Sequence, residues 1–178
     1  QVEAYKSGTD KSIKPIRDIF KNGNYACQYG AMPPRLALTA HISLAKAKQV
    51  WEIYWKKNWA IKKAAEDQLV KKIDGEMWLL NPVNGFYYSL KYDKDRFSTL
   101  VQGTASYVFD EWIREFRTIR PQLTAQFHDE VVLQIKQGHR EQCTILLRTS
   151  IDKLNNRLKL NRLLDIDVQF GQNYAEIH

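Results

Sequence analysis

Residues 124–136, TAQFHDEVVLQIK, determine how the second half of this chain is interpreted. Apolar residues stand on both sides of three adjacent titratable residues, His128, Asp129 and Glu130. Two short apolar runs around a polar centre predict a β-hairpin with these three residues at its turn. Because a buried charge is costly unless it is paired or bound to a metal, the pattern leaves two interpretations. The turn is either a polar structural feature or the place where the chemistry occurs.

The composition limits the class of protein. The chain has 178 residues, enough for one domain or two small lobes with a sizeable core. It carries 27 Lys and Arg against 20 Asp and Glu, which gives a net charge of +7. A basic surface is expected of a protein that binds a polyanion, so nucleic acid is a candidate partner. The alternative is a basic domain without such a partner.

Other features of the sequence bear on its location and completeness. No stretch approaches about 18 uninterrupted apolar residues, so no membrane span is expected. The first residues lack the apolar region of a secretory signal. Cys27 and Cys143 follow no metal-ligand spacing and favour a reduced, intracellular context. The chain begins with Gln1, from which we expect a trimmed or processed fragment, or a subunit produced by cleavage.

The first half is predicted to be rich in helices. Residues 12–30 predict a helix that Ser12 caps and Gly30 stops, with Pro15 in its first turn. The Pro33-Pro34 pair predicts a break after it.

The middle of the chain changes from helix to strand. Residues 43–73 predict a long helix or a helix pair that Ser43 caps, with an aromatic stripe typical of a core. Residues 76–92 then predict a hairpin, because two aromatic-rich runs flank the turn-forming residues 81–85.

The second half alternates between helix and strand. Residues 95–117 and 140–158 predict helices on either side of the hairpin at residues 124–136, and residues 164–174 predict a closing strand. This order predicts a mixed α+β fold with two lobes that meet near residue 90.

Carboxylates at the predicted turn suit a metal. A tight turn projects Asp129 from the end of the strands, and a pair of carboxylates suits Mg²⁺, which prefers oxygen ligands. A short motif of this kind also occurs by chance, so the structural interpretation stays open at this point.

Residues 12–30 carry a second pattern. Arg17, Lys21, Tyr25 and Tyr29 are spaced four residues apart and share one face of the predicted helix. Cations at one end and tyrosines at the other fit a ligand that has phosphates at one end and a base at the other. Arg binds phosphate bidentately, Lys acts as a point charge, and Tyr offers a stacking surface.

Taken together, these motifs resemble the C-terminal part of an A-family DNA polymerase, most of all phage members. The helix pattern R-x3-K-x3-Y-x3-YG resembles the family's nucleotide-binding helix, and HDE its second catalytic motif. LVQGTASYVFDEW, residues 100–112, resembles the family's palm helix. DVQFGQNYAEIH, residues 167–178, resembles the closing strand and C-terminal tail near the active site. The resemblance covers essentially the whole chain in the right order.

The resemblance implies a fold and an activity. The α+β chain would form the fingers portion, residues 1–92, with the nucleotide-binding helix, and the C-terminal palm portion, residues 93–178, with an antiparallel sheet. The activity would be that of a DNA-directed DNA polymerase, which adds deoxynucleoside triphosphates to primer–template DNA by two-metal phosphoryl transfer. The location would be the cytoplasm of a phage-infected bacterium.

The resemblance also implies which residues would perform the chemistry. Asp129 would ligate the catalytic Mg²⁺ ions with Glu130 as a supporting ligand, and His128 would lie near the primer end. Arg17 and Lys21 would hold the triphosphate, and Lys21 would also help to neutralise the leaving pyrophosphate.

The remaining implied roles concern the base pair. Tyr25 would pack on the base and sugar of the nucleotide, and Tyr29 would close the pocket near the templating base. Gln102 would read the minor groove, whose acceptors are common to all base pairs. Ser98 stands where the family often has Asn.

Half of the implied metal site is not in these residues. The family uses a second aspartate on a strand with a D-x-S-type motif, and Asp10 lies instead in a polar stretch. We therefore expect a segment upstream of Gln1, or a second polypeptide, to supply that aspartate, the thumb and the rest of the palm. The chain alone is expected to be inactive.

Three other interpretations are weighed against this one. A single-subunit RNA polymerase shares the helix pattern but usually has HDS at the turn. A non-catalytic module that binds nucleic acid would keep the basic surface without the chemistry. A metal-dependent hydrolase built on His128 and Asp129 would need further His and Asp clusters, which the sequence lacks.

Overall fold

The computed structural model describes residues 12–117 and 122–177. The chain divides into two compact units, Gln1–Gln102 and Gly103–His178. The division between fingers and palm at residues 92 and 93 is a functional one and stays a prediction. Asp10 lies outside the described residues.

Four helices open the first unit. They are α1 (Lys14–Gln28), α2 (Pro33–Ala40), α3 (Leu44–Lys57) and α4 (Trp59–Glu66). Pro15 lies in the first turn of α1, and Gly30 follows its end with a φ of 73°, as predicted. The predicted Ser12 cap is wrong, because the N-cap residue is Ile13, whose side chain has no oxygen to accept a hydrogen bond.

The first residues of α2 and α3 explain where these helices begin. The predicted break does separate α1 from α2, and Pro33 is also the first residue of α2. Proline suits this position because an N–H in the first turn of a helix has no partner within the helix. Ser43 caps α3 as predicted, and its Oγ accepts a hydrogen bond from the Lys46 amide at 3.3 Å. The core of these helices is small and is built from Cys27, Leu36, Ala40 and Ala47.

A three-stranded antiparallel sheet follows the helices. Its strands are β1 (Val70–Ile73), β2 (Glu76–Leu80) and β3 (Tyr87–Leu90), in that order. The predicted hairpin over residues 76–92 is confirmed. The predicted helix pair over residues 43–73 is correct for α3 and α4 but wrong at its end, where β1 forms. The reason is the two-residue turn Asp74-Gly75, with φ values of 51° and 84°, a sequence that strongly favours a hairpin.

Two helices and a hairpin follow the sheet. They are α5 (Arg96–Arg117), β4 (Gln122–Phe127), β5 (Glu130–Gln134) and α6 (Arg140–Leu158). These elements agree with the helices and the hairpin predicted from the sequence, and the division between the units falls within α5. The core of the second unit contains Trp112, Ile113, Phe116, Leu147, Ile151 and Leu154. Val131 and Leu133 of β5 pack against this core and so fix the hairpin to it.

The predicted closing strand over residues 164–174 is wrong. These residues are described, and they form no ladder with a strand of the described chain. Leu164, Ile166 and Val168 do alternate onto the core with exposed residues between them, which explains the strand-like pattern. The Asn155 side chain instead binds the backbone of Leu164, donating to its carbonyl oxygen at 2.8 Å and accepting from its amide at 2.9 Å.

The predicted α+β class is confirmed. The described residues form six α-helices and two antiparallel sheets, of three and two strands. Among them, no helix is both long enough and apolar enough to cross a membrane. Cys27 and Cys143 are free thiols, and burial raises the pKa of each.

Candidate active site

The HDE motif lies at the tip of the β4–β5 hairpin. The two strands pair from Gln122 opposite Gln134 to Phe127 opposite Glu130, with an irregularity between Leu123 and Ala125. His128 and Asp129 therefore form a two-residue loop, and Glu130 is the first residue of β5.

His128 adopts a strained backbone conformation. Its φ is 41°, a region that L-residues with side chains rarely adopt. The β1–β2 loop makes the same demand at its first position, where Asp74 has a φ of 51°, and Gly75 takes the second position at 84°. Strain of this kind persists only where the surrounding structure enforces it, and it is concentrated at functional sites. His41 and Lys159 also have a positive φ, where each ends a helix, so the case for a function at this turn depends on its carboxylates.

The carboxylates of the turn can provide part of a metal site. Asp129 is exposed, Glu130 is half-buried, and the core contacts of β5 hold both in place. Within the described ranges, no group of three or more His, Cys, Asp or Glu side chains could hold a metal ion. Mg²⁺ commonly takes only one or two protein carboxylates and completes its shell with water and substrate phosphates. The chemistry of Asp129 and Glu130 fits such an ion.

The predicted ligand strip lies along the exposed side of α1. The Arg17 and Lys21 side chains reach solvent, and Tyr25 and Tyr29 are each 47% exposed. The Lys21 ammonium lies 5.9 Å from the centre of the Tyr25 ring, as expected for neighbours four residues apart. Arg17 is 3.4 Å from Asp18, an exposed ion pair of little energetic weight that a phosphate could replace.

The opposite side of α1 attaches the helix to its unit. Cys27 is only 1% exposed within the small helical core. A Cβ at Gly23 would lie 3.6 Å from a methyl carbon of Leu36, so α2 lies close to α1 here. Because this side is packed, the strip of cations and tyrosines is left facing outward.

Tyr29 and Gln102 are in direct contact. The Gln102 amide nitrogen donates a hydrogen bond to the Tyr29 hydroxyl oxygen at 3.0 Å, across 73 positions of sequence. Beside them is a shallow cavity lined by Gln28, Phe97, Ser98 and Val101 together with Tyr29. The Ser98 hydroxyl donates a hydrogen bond at 3.0 Å to the carbonyl oxygen of Asp95, the residue just before α5. The sequence had suggested both Tyr29 and Gln102 but gave no sign that they touch.

The structure thus forms two groups from the predicted residues. Arg17, Lys21, Tyr25 and Tyr29 on α1 lie in the first unit with Gln102, whereas His128, Asp129 and Glu130 lie in the second.

These groups are the parts that an enzyme of nucleotidyl transfer uses, namely carboxylates for metal ions and cations for phosphates. The sequence model of DNA polymerase family A matches residues 3–176 of this chain. Because the match covers nearly the whole chain, the chain belongs to DNA polymerase family A. A search among curated protein sequences finds no match. The resemblance to this family is thereby confirmed, and membership supports a DNA polymerase function with DNA and nucleotides as substrates.

Proposed function

We propose that this chain is the C-terminal fingers and palm portion of a template-directed DNA polymerase, most similar to phage members. It acts in the cytoplasm of an infected bacterial host and extends a primer with deoxynucleotides by two-metal phosphoryl transfer. The observation that carries the proposal is the exposed Asp129 carboxylate beside the strained His128, on a hairpin fixed to a core.

Asp129 is the proposed principal metal ligand, and Glu130 is the supporting one. When bound, the two Mg²⁺ ions supply the positive charge that clamps the attacking and leaving oxygens. The hairpin contributes rigidity, because Val131 and Leu133 anchor the strand that follows the carboxylates. Asp10-Lys11-Ser12 has the D-x-S letters but stands in a polar stretch and not in a strand-like apolar run, so we propose that residues outside these 178 supply the second aspartate. They belong to an upstream segment or to a second polypeptide that also carries the thumb and the rest of the palm.

The outward side of α1 is the proposed site of the incoming nucleotide. Arg17 exchanges its exposed pairing with Asp18 for the triphosphate, which can accept two parallel hydrogen bonds. Lys21 holds the same phosphates and neutralises the pyrophosphate as it leaves. Tyr25, whose ring already lies beside the Lys21 ammonium, packs on the sugar and base.

The remaining residues position the DNA. Tyr29 closes the pocket at the templating base, and Gln102 contacts the minor groove of the primer–template. The Gln102 amide nitrogen has two N–H donors, so it can bind Tyr29 and a groove acceptor together. His128 lies near the primer end, next to the metal ligands.

Replacement of Asp129 by Asn tests the proposal. In the complete polymerase, Asp129→Asn keeps the shape of the side chain but removes a charged metal ligand, so we expect extension to fall by orders of magnitude. Glu130→Gln should cost much less. Asp74→Asn is the matched control, because Asp74 also lies in a two-residue hairpin loop with positive φ.

The outcomes separate the candidate functions. Full activity of Asp129→Asn would contradict the proposal, as would robust primer extension by residues 1–178 alone. DNA binding without any extension by the complete protein would indicate the non-catalytic module. Preference for ribonucleotides over deoxynucleotides would indicate an RNA polymerase.

A further inference from the structure

The end of the described chain is a closely bonded turn. We call residues 171–177 the tail turn. The Glu176 carboxylate accepts hydrogen bonds from the Gln172 amide and from the Asn173 side-chain nitrogen, both at 2.8 Å. The side-chain oxygen of Asn173 accepts a hydrogen bond from the Ala175 amide at 3.1 Å. Each Glu176 oxygen is therefore engaged within the tail turn.

Gly171 allows the tail turn to close. A Cβ at this position would lie 2.7 Å from the Glu176 Cβ and 3.0 Å from a methyl carbon of Ile177. The first distance is shorter than real Cβ contacts, so only glycine fits without a shift of the backbone. The close approach and the Glu176 bonds together give the tail turn one defined shape.

The segment before the tail turn is anchored to the core. Leu164, Ile166 and Val168 pack against the core of the second unit, and Asn155 of α6 binds the Leu164 backbone. The Arg140 guanidinium, at the start of α6, lies 5.4 Å from the centre of the Phe170 ring. The tail turn is thus held at a fixed place relative to α6.

One side chain of the tail turn contacts the β4–β5 hairpin. The ring of Tyr174 lies 6.0 Å from that of Phe127, centre to centre, with the planes tilted by 51°. This is a favourable arrangement for two aromatic rings. Phe127 is the last residue of β4 and directly precedes His128. The core therefore supports the His128-Asp129 loop from both strands. On the β5 side the support is direct, and on the β4 side it passes through the tail turn and Phe127.

We infer that Tyr174 is a positioning residue for the Asp129 turn, acting through Phe127. The inference rests on the proposed function of that turn. The Tyr174–Phe127 contact steadies the β4 side of the turn, as the core contacts of Val131 and Leu133 steady the β5 side. Glu176 serves this support as a structural carboxylate and not as a metal ligand, because its oxygens already bind the tail turn.

Two readouts on the complete polymerase test the inference. The first is amide hydrogen exchange at residues 127–130 without metal, and the second is the Mg²⁺ concentration for half-maximal extension. Tyr174→Ala should speed exchange and raise the Mg²⁺ requirement, each by roughly 2- to 10-fold, in line with the loss of one aromatic pair. The KM for deoxynucleotides should stay unchanged, since their proposed site is on α1. Tyr174→Phe keeps the ring contact and should restore both readouts.

Two further variants complete the experiment. Leu163→Ala is the control, because Leu163 is an apolar side chain in the same unit that is 84% exposed. Glu176→Gln keeps one acceptor oxygen and loses the other, so exchange should quicken in the tail turn and, to a lesser extent, at residues 127–130.

Specific results would overturn the inference. Unchanged exchange and Mg²⁺ dependence in Tyr174→Ala would do so, as would equal effects of Tyr174→Ala and Leu163→Ala. A loss in Glu176→Gln as large as that in Asp129→Asn would identify Glu176 as a metal ligand instead. Because the exchange readout needs no activity, it remains decisive even if Asp129→Asn shows that the proposed function is wrong.

Discussion

Tyr29→Phe removes the hydroxyl that accepts a hydrogen bond from Gln102 at 3.0 Å and leaves the ring in place. A neutral hydrogen bond contributes about 0.5–1.5 kcal/mol net. Because both side chains are exposed and water can replace either partner, we take the lower part of this range, about 0.5–1 kcal/mol. That free energy corresponds to roughly a 2- to 5-fold change in a rate or equilibrium constant at 25 °C. If Gln102 holds Tyr29 where it closes the pocket, this contact energy should appear in the rate of correct incorporation.

A double-mutant cycle with single-turnover kinetics measures the contact in the complete polymerase. Tyr29→Phe and Gln102→Ala should each lower kcat/KM. In the double variant, the loss of transition-state free energy should be smaller than the sum of the two single losses by about 0.5–1 kcal/mol. Tyr25→Phe with Gln102→Ala is the matched control pair. It should be additive, because the cation beside the Tyr25 ring is Lys21. A coupling energy below about 0.3 kcal/mol for Tyr29 and Gln102 would show that the contact has no role in the working enzyme.

Three further predictions concern the sugar, the DNA and the core. The Tyr25 hydroxyl should fill the place of a nucleotide 3′-hydroxyl, so we expect the complete polymerase to accept dideoxynucleotides nearly as well as deoxynucleotides. Tyr25→Phe should reject dideoxynucleotides. Strong rejection by the unsubstituted polymerase in a competition assay would refute this assignment of Tyr25 to the sugar-facing position of α1. With a net charge of +7, the logarithm of the binding constant for primer–template should fall linearly with the logarithm of salt concentration in anisotropy titrations, and a flat line would contradict DNA backbone binding. Ser150→Ala leaves the buried Trp112 indole N–H without its acceptor at 2.9 Å, so the free energy of unfolding should drop by about 1–3 kcal/mol in a denaturant titration. The control Thr144→Ala removes an exposed hydroxyl and should change the free energy of unfolding far less.

Most of the regular structure could be predicted from local patterns. The bounds of α6 agree with those predicted, and the α1 strip could be read because residues four apart on a helix are neighbours. The error at residues 70–73 was avoidable, since Asp74-Gly75 is itself a strong hairpin signal. The error at residues 164–174 has a different origin. Alternation reports which side chains are buried, whereas a strand also needs a neighbour for its backbone, and here Asn155 binds part of that backbone instead.

The candidate site was predictable only in its parts. HDE and the α1 strip are short motifs whose residue types suit metal ions and phosphates. The contacts of Gln102 with Tyr29 and of Tyr174 with Phe127 join residues that are far apart in the sequence, so no periodicity reveals them. The positive φ of His128 was only weakly signalled, because His adopts a positive φ more often than most residues but far less readily than Gly.

That positive φ has a consequence for how this sequence changes over generations. A residue with a side chain in this conformation costs of order 1–3 kcal/mol, and Gly at position 128 would remove most of the cost. Selection for stability alone would therefore favour Gly over His at position 128, although the equivalent position of the β1–β2 loop also keeps a residue with a side chain, Asp74. Selection for what the turn does would act against that preference. A descendant that kept the fold but lost the activity would therefore be expected to exchange His128 for Gly.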